Sequence, residues 1–184
     1  MDMKQKLRDR YRSERALKDH VESWLHILNS TEFKSAKTIA SYYSYGNEPQ
    51  TQDLNTQLIA RGFSVALPRV LKDLNLEWVI WDGSQESLRK SGKIMEPTGP
   101  AISPQVLDVV IVPSLHVNQD GYRLGQGGGS YDRALSTLSA HKTWTIGLIY
   151  PGELTPEPMP VEPHDVKLSA VATPDLIIRF PKSN

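Results

Sequence analysis

Val106-Leu107-Asp108-Val109-Val110-Ile111-Val112 is a near-continuous apolar run, closed by Pro104 on one side and Pro113 on the other. It is too short for a typical helix and apolar on both alternations. It therefore predicts a strand covered on both faces, as in the middle of a parallel sheet. The neighbouring pattern agrees. Residues 38–43 and 63–67 read as buried strands, the second ended by Pro68, and residues 74–81 alternate as a third strand. Asp82-Gly83-Ser84 is a turn, and residues 93–95 are a short extended piece. Residues 143–150 and 176–178 complete the strands. Between them lie a helix over residues 51–60, with Thr51 as its N-cap and Gly62 as its stop, and another over residues 131–139. Residues 3–29 predict one long helix, with Leu7, Leu17, Val21, Trp24, Leu25 and Leu28 on one side. Lys4, Arg8, Arg12 and Arg15 form a strip beside them. Pro151, Pro156, Pro158, Pro160 and Pro163 make residues 151–165 an irregular loop.

Alternating strands and helices predict an α/β fold: a single three-layer domain over residues 1–184, built on a largely parallel mixed sheet with helices on both faces. A chain of 184 residues is long enough for a sizeable core. Lys plus Arg and Asp plus Glu are both 21, so nothing global argues for nucleic acid or an anionic membrane as partner. The absence of cysteine removes disulfides, thiolate metal sites and cysteine nucleophiles. No signal-like apolar run follows the N-terminus, and no segment approaches the roughly 20 apolar residues of a membrane helix. The expectation is a cytoplasmic protein, monomer or homodimer, acting on small molecules.

The chemistry concentrates after the central strand. Gly125, Gly127, Gly128 and Gly129 fall within five residues, beyond the strand and at the start of a helix. A flexible turn is one reading. The other is a phosphate cradle, because open α/β sheets bind ligands at this end of their strands. Backbone N–H groups and a helix N-terminus favour anions there. The loop is not a P-loop, since no lysine follows the glycines, nor a dinucleotide fingerprint, since position 130 is serine. Arg123 offers a fork for a phosphate. Asp132 falls in the first helical turn, where it either complements the helix dipole or holds Mg²⁺ beside phosphate oxygens.

The segment Val112-Pro113, then Arg123-Leu124-Gly125-Gln126-Gly127-Gly128-Gly129-Ser130-Tyr131-Asp132-Arg133, resembles the hallmark of the 5-formyltetrahydrofolate cyclo-ligases, also called methenyltetrahydrofolate synthetases. Weaker matches follow in the family's order: Lys4-x-x-Leu7-Arg8, Tyr42 through Glu48 with Thr51, Leu67-Pro68-Arg69, Pro163-His164-Asp165 and Thr173-Pro174. Together they span nearly the whole chain. The resemblance implies ATP- and Mg²⁺-dependent closure of 5-formyltetrahydrofolate to 5,10-methenyltetrahydrofolate. It implies ATP binding by Lys4, Arg8 and the segment Gly125, Gln126, Gly127, Gly128, Gly129, Ser130, Tyr131, Asp132 and Arg133. It implies folate binding by Tyr43, Glu48, Gly127, Gly128 and Tyr131, catalytic roles for Arg123 and Asp132, and metal binding by Asp132 and Asp165. Lys6 lies on another side of the helix, and His164 has a weaker case than its neighbour.

The chain departs from the family at Ser130, where a tyrosine is usual, at Val117-Asn118, where Phe-Asp is usual, and at His116, where a small residue is usual. Two other readings stay open at this level: a folate- or nucleotide-binding protein without catalysis, and a phosphosugar isomerase or transferase of similar architecture.

Overall fold

The apolar run becomes the centre of a sheet. The computed structural model describes residues 2–19, 21–138 and 142–181. Its helices are α1 (Met3–Arg15), α2 (Thr31–Ser35), α3 (Gln52–Ala60) and α4 (Ser130–Leu138). Its strands begin with β1 (Thr38–Ala40), β2 (Ser64–Val70), β3 (Leu76–Ile80), β4 (Leu88–Ser91), β5 (Ile94–Pro97) and β6 (Ala101–Ile102). They continue with β7 (Val109–Pro113), β8 (His116–Asn118), β9 (Arg123–Leu124), β10 (Trp144–Leu148), β11 (Leu154–Thr155), β12 (Ala170–Ala172) and β13 (Ile177–Arg179).

The main sheet has eight strands in the order β13-β12-β10-β7-β1-β2-β3-β6. From β12 to β2 the pairings are parallel, and β13, β3 and β6 join antiparallel. The mixed, largely parallel α/β sheet is the one the pattern predicts. Residues of β7 alternate between two cores. Val109 and Ile111 pack with Leu54 and Leu58 of α3 and Phe33 of α2. Val110 and Val112 pack with Leu135 and Leu138 of α4 on the opposite face. That burial on both faces is why the run lacks polar alternation.

From β1 the chain crosses through α3 to β2 on one side. From β7 it crosses through α4 to β10 on the other. The strand order therefore reverses between β1 and β7, and open sheets leave a crevice past the carboxyl ends of the strands at such a point.

Several boundaries differ from the sequence reading. The helix expected over residues 3–29 ends at Arg15. Trp24, Ile27 and Leu28 belong instead to a separate 3₁₀ segment, Leu25–Asn29, and its entry. A continuous helix of that length would run about 40 Å straight. This chain must instead place α1 beyond the strand ends and Trp24 against the sheet face. Leu17 and Val21, expected on the buried side, are 88% and 84% exposed.

Pro68 does not end β2, which runs on to Val70. Past Ala66 that strand has only β3 beside it, and a residue without N–H is tolerated on such an edge. Thr51 precedes α3 but its hydroxyl does not cap it. It donates to the Tyr42 carbonyl and accepts from Ser44 N–H, pinning the loop after β1. The last helix covers Ser130–Leu138; the expected end at Ser139 lies outside the described residues. β8 and β9 carry the chain from β7 to the glycine loop, and β11 joins them in a small sheet unforeseen in the sequence. No described helix is long and apolar enough to cross a membrane.

Candidate active site

One cavity of about 320 Å³ opens where the strand order reverses, a size suited to a small molecule. The loop after β1 supplies Tyr42, Tyr43, Tyr45 and Glu48. The ends of β2 and β7 supply Val70 and Ser114, and α1 supplies Lys4, Arg8 and Arg15. Residues 123–132 form one wall, Leu76, Ile94 and Met95 add an apolar one, and Glu162, His164 and Asp165 lie at the side of Lys4.

Two arginines of α1 hold the glycine loop by its carbonyl groups. Arg8 Nε donates to the Gly125 carbonyl at 3.1 Å. Arg12 donates to the Gln126 carbonyl at 3.0 Å and to its side-chain oxygen at 2.9 Å. Among the described residues, no backbone N–H of residues 125–130 donates to a protein acceptor. The loop thus keeps its donors free along the cavity wall. Gly127 has φ +108°, a left-handed conformation only glycine adopts without strain. A side chain at Gly125 would collide with the Arg123 guanidinium.

Arg123 is buried, and its Nη2 donates to Asp132 Oδ1 at 2.8 Å. Burial pushes its pKa down, against the pull of Asp132. Its guanidinium lies 5.6 Å from the centre of the Tyr131 ring. Arg123 Nε and the Tyr131 hydroxyl are both buried without a partner among the described residues. Burial, and then the charge of Glu48, raises the Tyr131 phenol pKa, so it is a neutral donor at neutral pH. Unsatisfied donors in a polar cavity are costly unless something else accepts from them.

Lys4 bridges Glu162 Oε2 at 2.6 Å and Asp165 Oδ2 at 2.7 Å. Burial opposes the Lys4 charge, but the two carboxylates hold its pKa above the ordinary value. Burial alone would raise the Asp165 pKa, and Lys4 instead holds it below the ordinary range. His164 is mostly exposed beside them, and the ligating atoms of Glu162, His164 and Asp165 lie within 4.8 Å of one another. This oxygen-rich cluster already neutralises one cation, the Lys4 ammonium, and its donors are of the kind Mg²⁺ takes. Asp132 lines the same cavity and is paired with Arg123.

Glu48 is buried, and its Oε2 accepts from Tyr45 N–H at 3.2 Å. Burial pushes its pKa up to about 7, against smaller opposing effects from Tyr45, Arg15 and Gln126. A raised carboxyl binds its proton more tightly folded than unfolded. Stability attributable to Glu48 is therefore full below its ordinary value of 4.5 and falls as pH rises through about 7. The loss is up to about 3 kcal/mol. Glu48→Gln is accordingly expected to be more stable than the parent at pH 8 and equal to it at pH 4. Urea denaturation at both values checks this, and an equal midpoint at pH 8 would remove the burial strain assigned to Glu48.

The structure brings Lys4, Arg8, Tyr43, Glu48, Arg123, the segment from Gly125 to Asp132, and Asp165 to one cavity. Lys6 is exposed on another side of α1, as its helical position predicts. Arg133 does not line the cavity; its guanidinium bonds Leu74 O, Asn75 Oδ1 and Gly128 O. The sequence reading did not single out Arg15, Glu162 or the apolar wall of Val70, Leu76, Ile94 and Met95. Arg15 stood in the basic strip of α1 with Lys4, Arg8 and Arg12, with nothing to mark it out from them. Leu76, Ile94 and Met95 read only as strand or extended positions, and Val70 as lying past a strand end, so none of the wall carried a signal of a site.

The departures sort themselves by position. Ser130 lines the cavity, whereas His116, Val117 and Asn118 do not. His116 stacks on Tyr11 at 4.8 Å beneath α1, and burial lowers its pKa to about 4. Asn118 Oδ1 accepts from Asp120 and Tyr122 N–H, shaping the turn into β9.

Residues 1–174 match the 5-formyltetrahydrofolate cyclo-ligase family. The chain belongs to this family. It is 34% identical over 162 residues to the 5-formyltetrahydrofolate cyclo-ligase of Mycolicibacterium smegmatis, covering 84% of this chain and 80% of that one. It is 36% identical over 148 residues to the enzyme of the same name from Escherichia coli, covering 77% and 80%. The solution structure of Aquifex aeolicus 5,10-methenyltetrahydrofolate synthetase superposes with a TM-score of 0.79 at 25% identity, over 100% of this chain and 95% of that one. A cyclo-ligase family member is a ligase, and the cavity past β1 and β7 is the place in this fold where its polar groups converge.

Proposed function

We propose that this chain uses ATP and Mg²⁺ to convert 5-formyltetrahydrofolate to 5,10-methenyltetrahydrofolate, releasing ADP and phosphate. One observation carries the reading. Among the described residues, a buried arginine with an unpartnered Nε stands beside a loop whose amides have no protein acceptor, in the same cavity as a buried carboxylate. The first two suit an anion of several oxygens, and the third suits a flat heterocycle with N–H donors.

In this reading the loop amides, Lys4, Arg8 and Arg123 bind the phosphates. Glu48 accepts from pterin N–H groups, and Tyr43 and Tyr131 flank the ring. The γ-phosphoryl group passes to the formyl oxygen. The folate N10 attacks the formyl carbon and gives up its proton, and phosphate leaves with that oxygen. Arg123 stabilises the charge on the transferring group, a positioning and electrostatic task. Asp132 and Asp165 would hold Mg²⁺, which supplies charge neutralisation at the phosphate oxygens.

Purified protein mixed with 5-formyltetrahydrofolate, ATP and Mg²⁺ is expected to produce the near-ultraviolet absorbance of the methenyl product, with ATP consumed only when the folate is present. Folate binding without that product would reduce the chain to a binding protein and defeat the proposal.

A further inference from the structure

The turn between β2 and β3 is strained at one residue and tied down by another. Leu71 N–H donates to Asn75 O, and Leu74 N–H donates to Leu71 O, so Lys72-Asp73-Leu74 is a three-residue hairpin loop. In such loops a turn is followed by one residue in the left-handed region, a place that favours glycine. Here that residue is Leu74, with φ +64°, the one non-glycine residue at positive φ among the described residues. Its side chain is about half exposed, so packing does not explain the conformation. What holds it is Arg133 at the start of α4. Arg133 Nη2 donates to Leu74 O at 2.7 Å and to Gly128 O at 3.2 Å, and its Nε donates to Asn75 Oδ1 at 3.0 Å. One guanidinium thus joins the strained turn to the glycine loop. Val70 and Leu76, the residues flanking the turn, line the cavity beside Ile94 and Met95.

We infer that Arg133 is a positioning residue. It latches the β2–β3 hairpin to the glycine loop and so sets the apolar wall of the folate side, rather than binding nucleotide phosphate. The inference rests on the proposed cyclo-ligase reaction for its kinetic readout, but not for its structural one. Losing the latch frees Leu74 to leave the left-handed region, and the turn carries Val70 and Leu76 with it. A glycine at position 74 adopts that conformation without strain and so reduces the need for the latch.

Arg133→Ala is expected to raise KM for the folate about tenfold, with KM for ATP changed less than about twofold. Leu74→Gly alone should leave both near the parental values, and the double variant should recover most of the folate KM. Amide exchange across residues 70–76 should quicken in Arg133→Ala and slow again in the double variant. A rise in the ATP KM at least as large as that for folate would overturn the inference, as would unchanged exchange in Arg133→Ala or no recovery with Leu74→Gly. If the parent chain makes no methenyl product, the proposed reaction fails, and the exchange measurement still decides the latch.

Discussion

Asp132→Asn is expected to lower kcat by about 10²- to 10³-fold while leaving the chain folded, the scale seen when one preorganised charged or hydrogen-bonding group is removed from a transition state. The substitution keeps shape and an oxygen acceptor for Arg123 Nη2, which now bonds Asp132 at 2.8 Å. It removes the negative charge that opposes the burial of Arg123. It also removes one of the two carboxylates proposed to hold Mg²⁺. The structural cost should be about 3 kcal/mol, because the buried Arg123 loses its charge partner while keeping a hydrogen-bond acceptor, with the helix dipole of α4 a smaller part of it. Initial rates of methenyl formation, with thermal unfolding as the control, check both halves. Turnover within about threefold of the parent, far short of the loss of a preorganised charge, would take Asp132 out of the reaction.

Arg15→Met should cost about 3–5 kcal/mol of folding stability, the scale for removing one member of a buried ion pair. Arg15 is 2% exposed and Glu153 is 1% exposed. Arg15 bonds both Glu153 oxygens, at 2.8 and 2.7 Å, and the Ser114 carbonyl as well. Glu153 also accepts from Tyr150 N–H at 2.8 Å, so its carboxylate would stay buried with its near charge partner gone and only the half-buried Lys18, 3.8 Å away, left to offset it. The double variant Arg15→Met with Glu153→Gln should recover much of the loss, since no uncompensated charge then remains. Urea denaturation of the singles and the double measures the coupling. The consequence reaches the site, because this pair anchors the end of the helix that carries Lys4, Arg8 and Arg12 over the cavity. A single variant as stable as the parent would show that α1 is held mainly by Tyr11, Leu115, Leu124 and Met159 instead.

The central strand was legible because burial on both faces leaves a local mark, an apolar run from Val109 to Val112 without alternation. The glycine loop was legible for a similar reason. Backbone that approaches a guanidinium or takes positive φ, as at Gly125 and Gly127, excludes side chains whatever the rest of the chain does. Lys4, Arg8 and Arg123 to Asp132 were found through that loop and the resemblance it carries. The helix at residues 3–29 misled, because apolar spacing records which side of a helix is greasy and not where the chain must turn. Leu17 and Val21 fit the spacing and are exposed.

By itself, then, the sequence determined the α/β alternation, the position of the central strand and the loop after it, since each depends on interactions within a few residues. Tertiary structure alone decided that Arg133 turns from the cavity to the strained Leu74 hairpin, and that Arg15 meets Glu153 across 138 positions. It also decided that Lys4 closes on Glu162 and Asp165. Long charged side chains reach one of several partners, and which one they meet is set by how the distant segments pack.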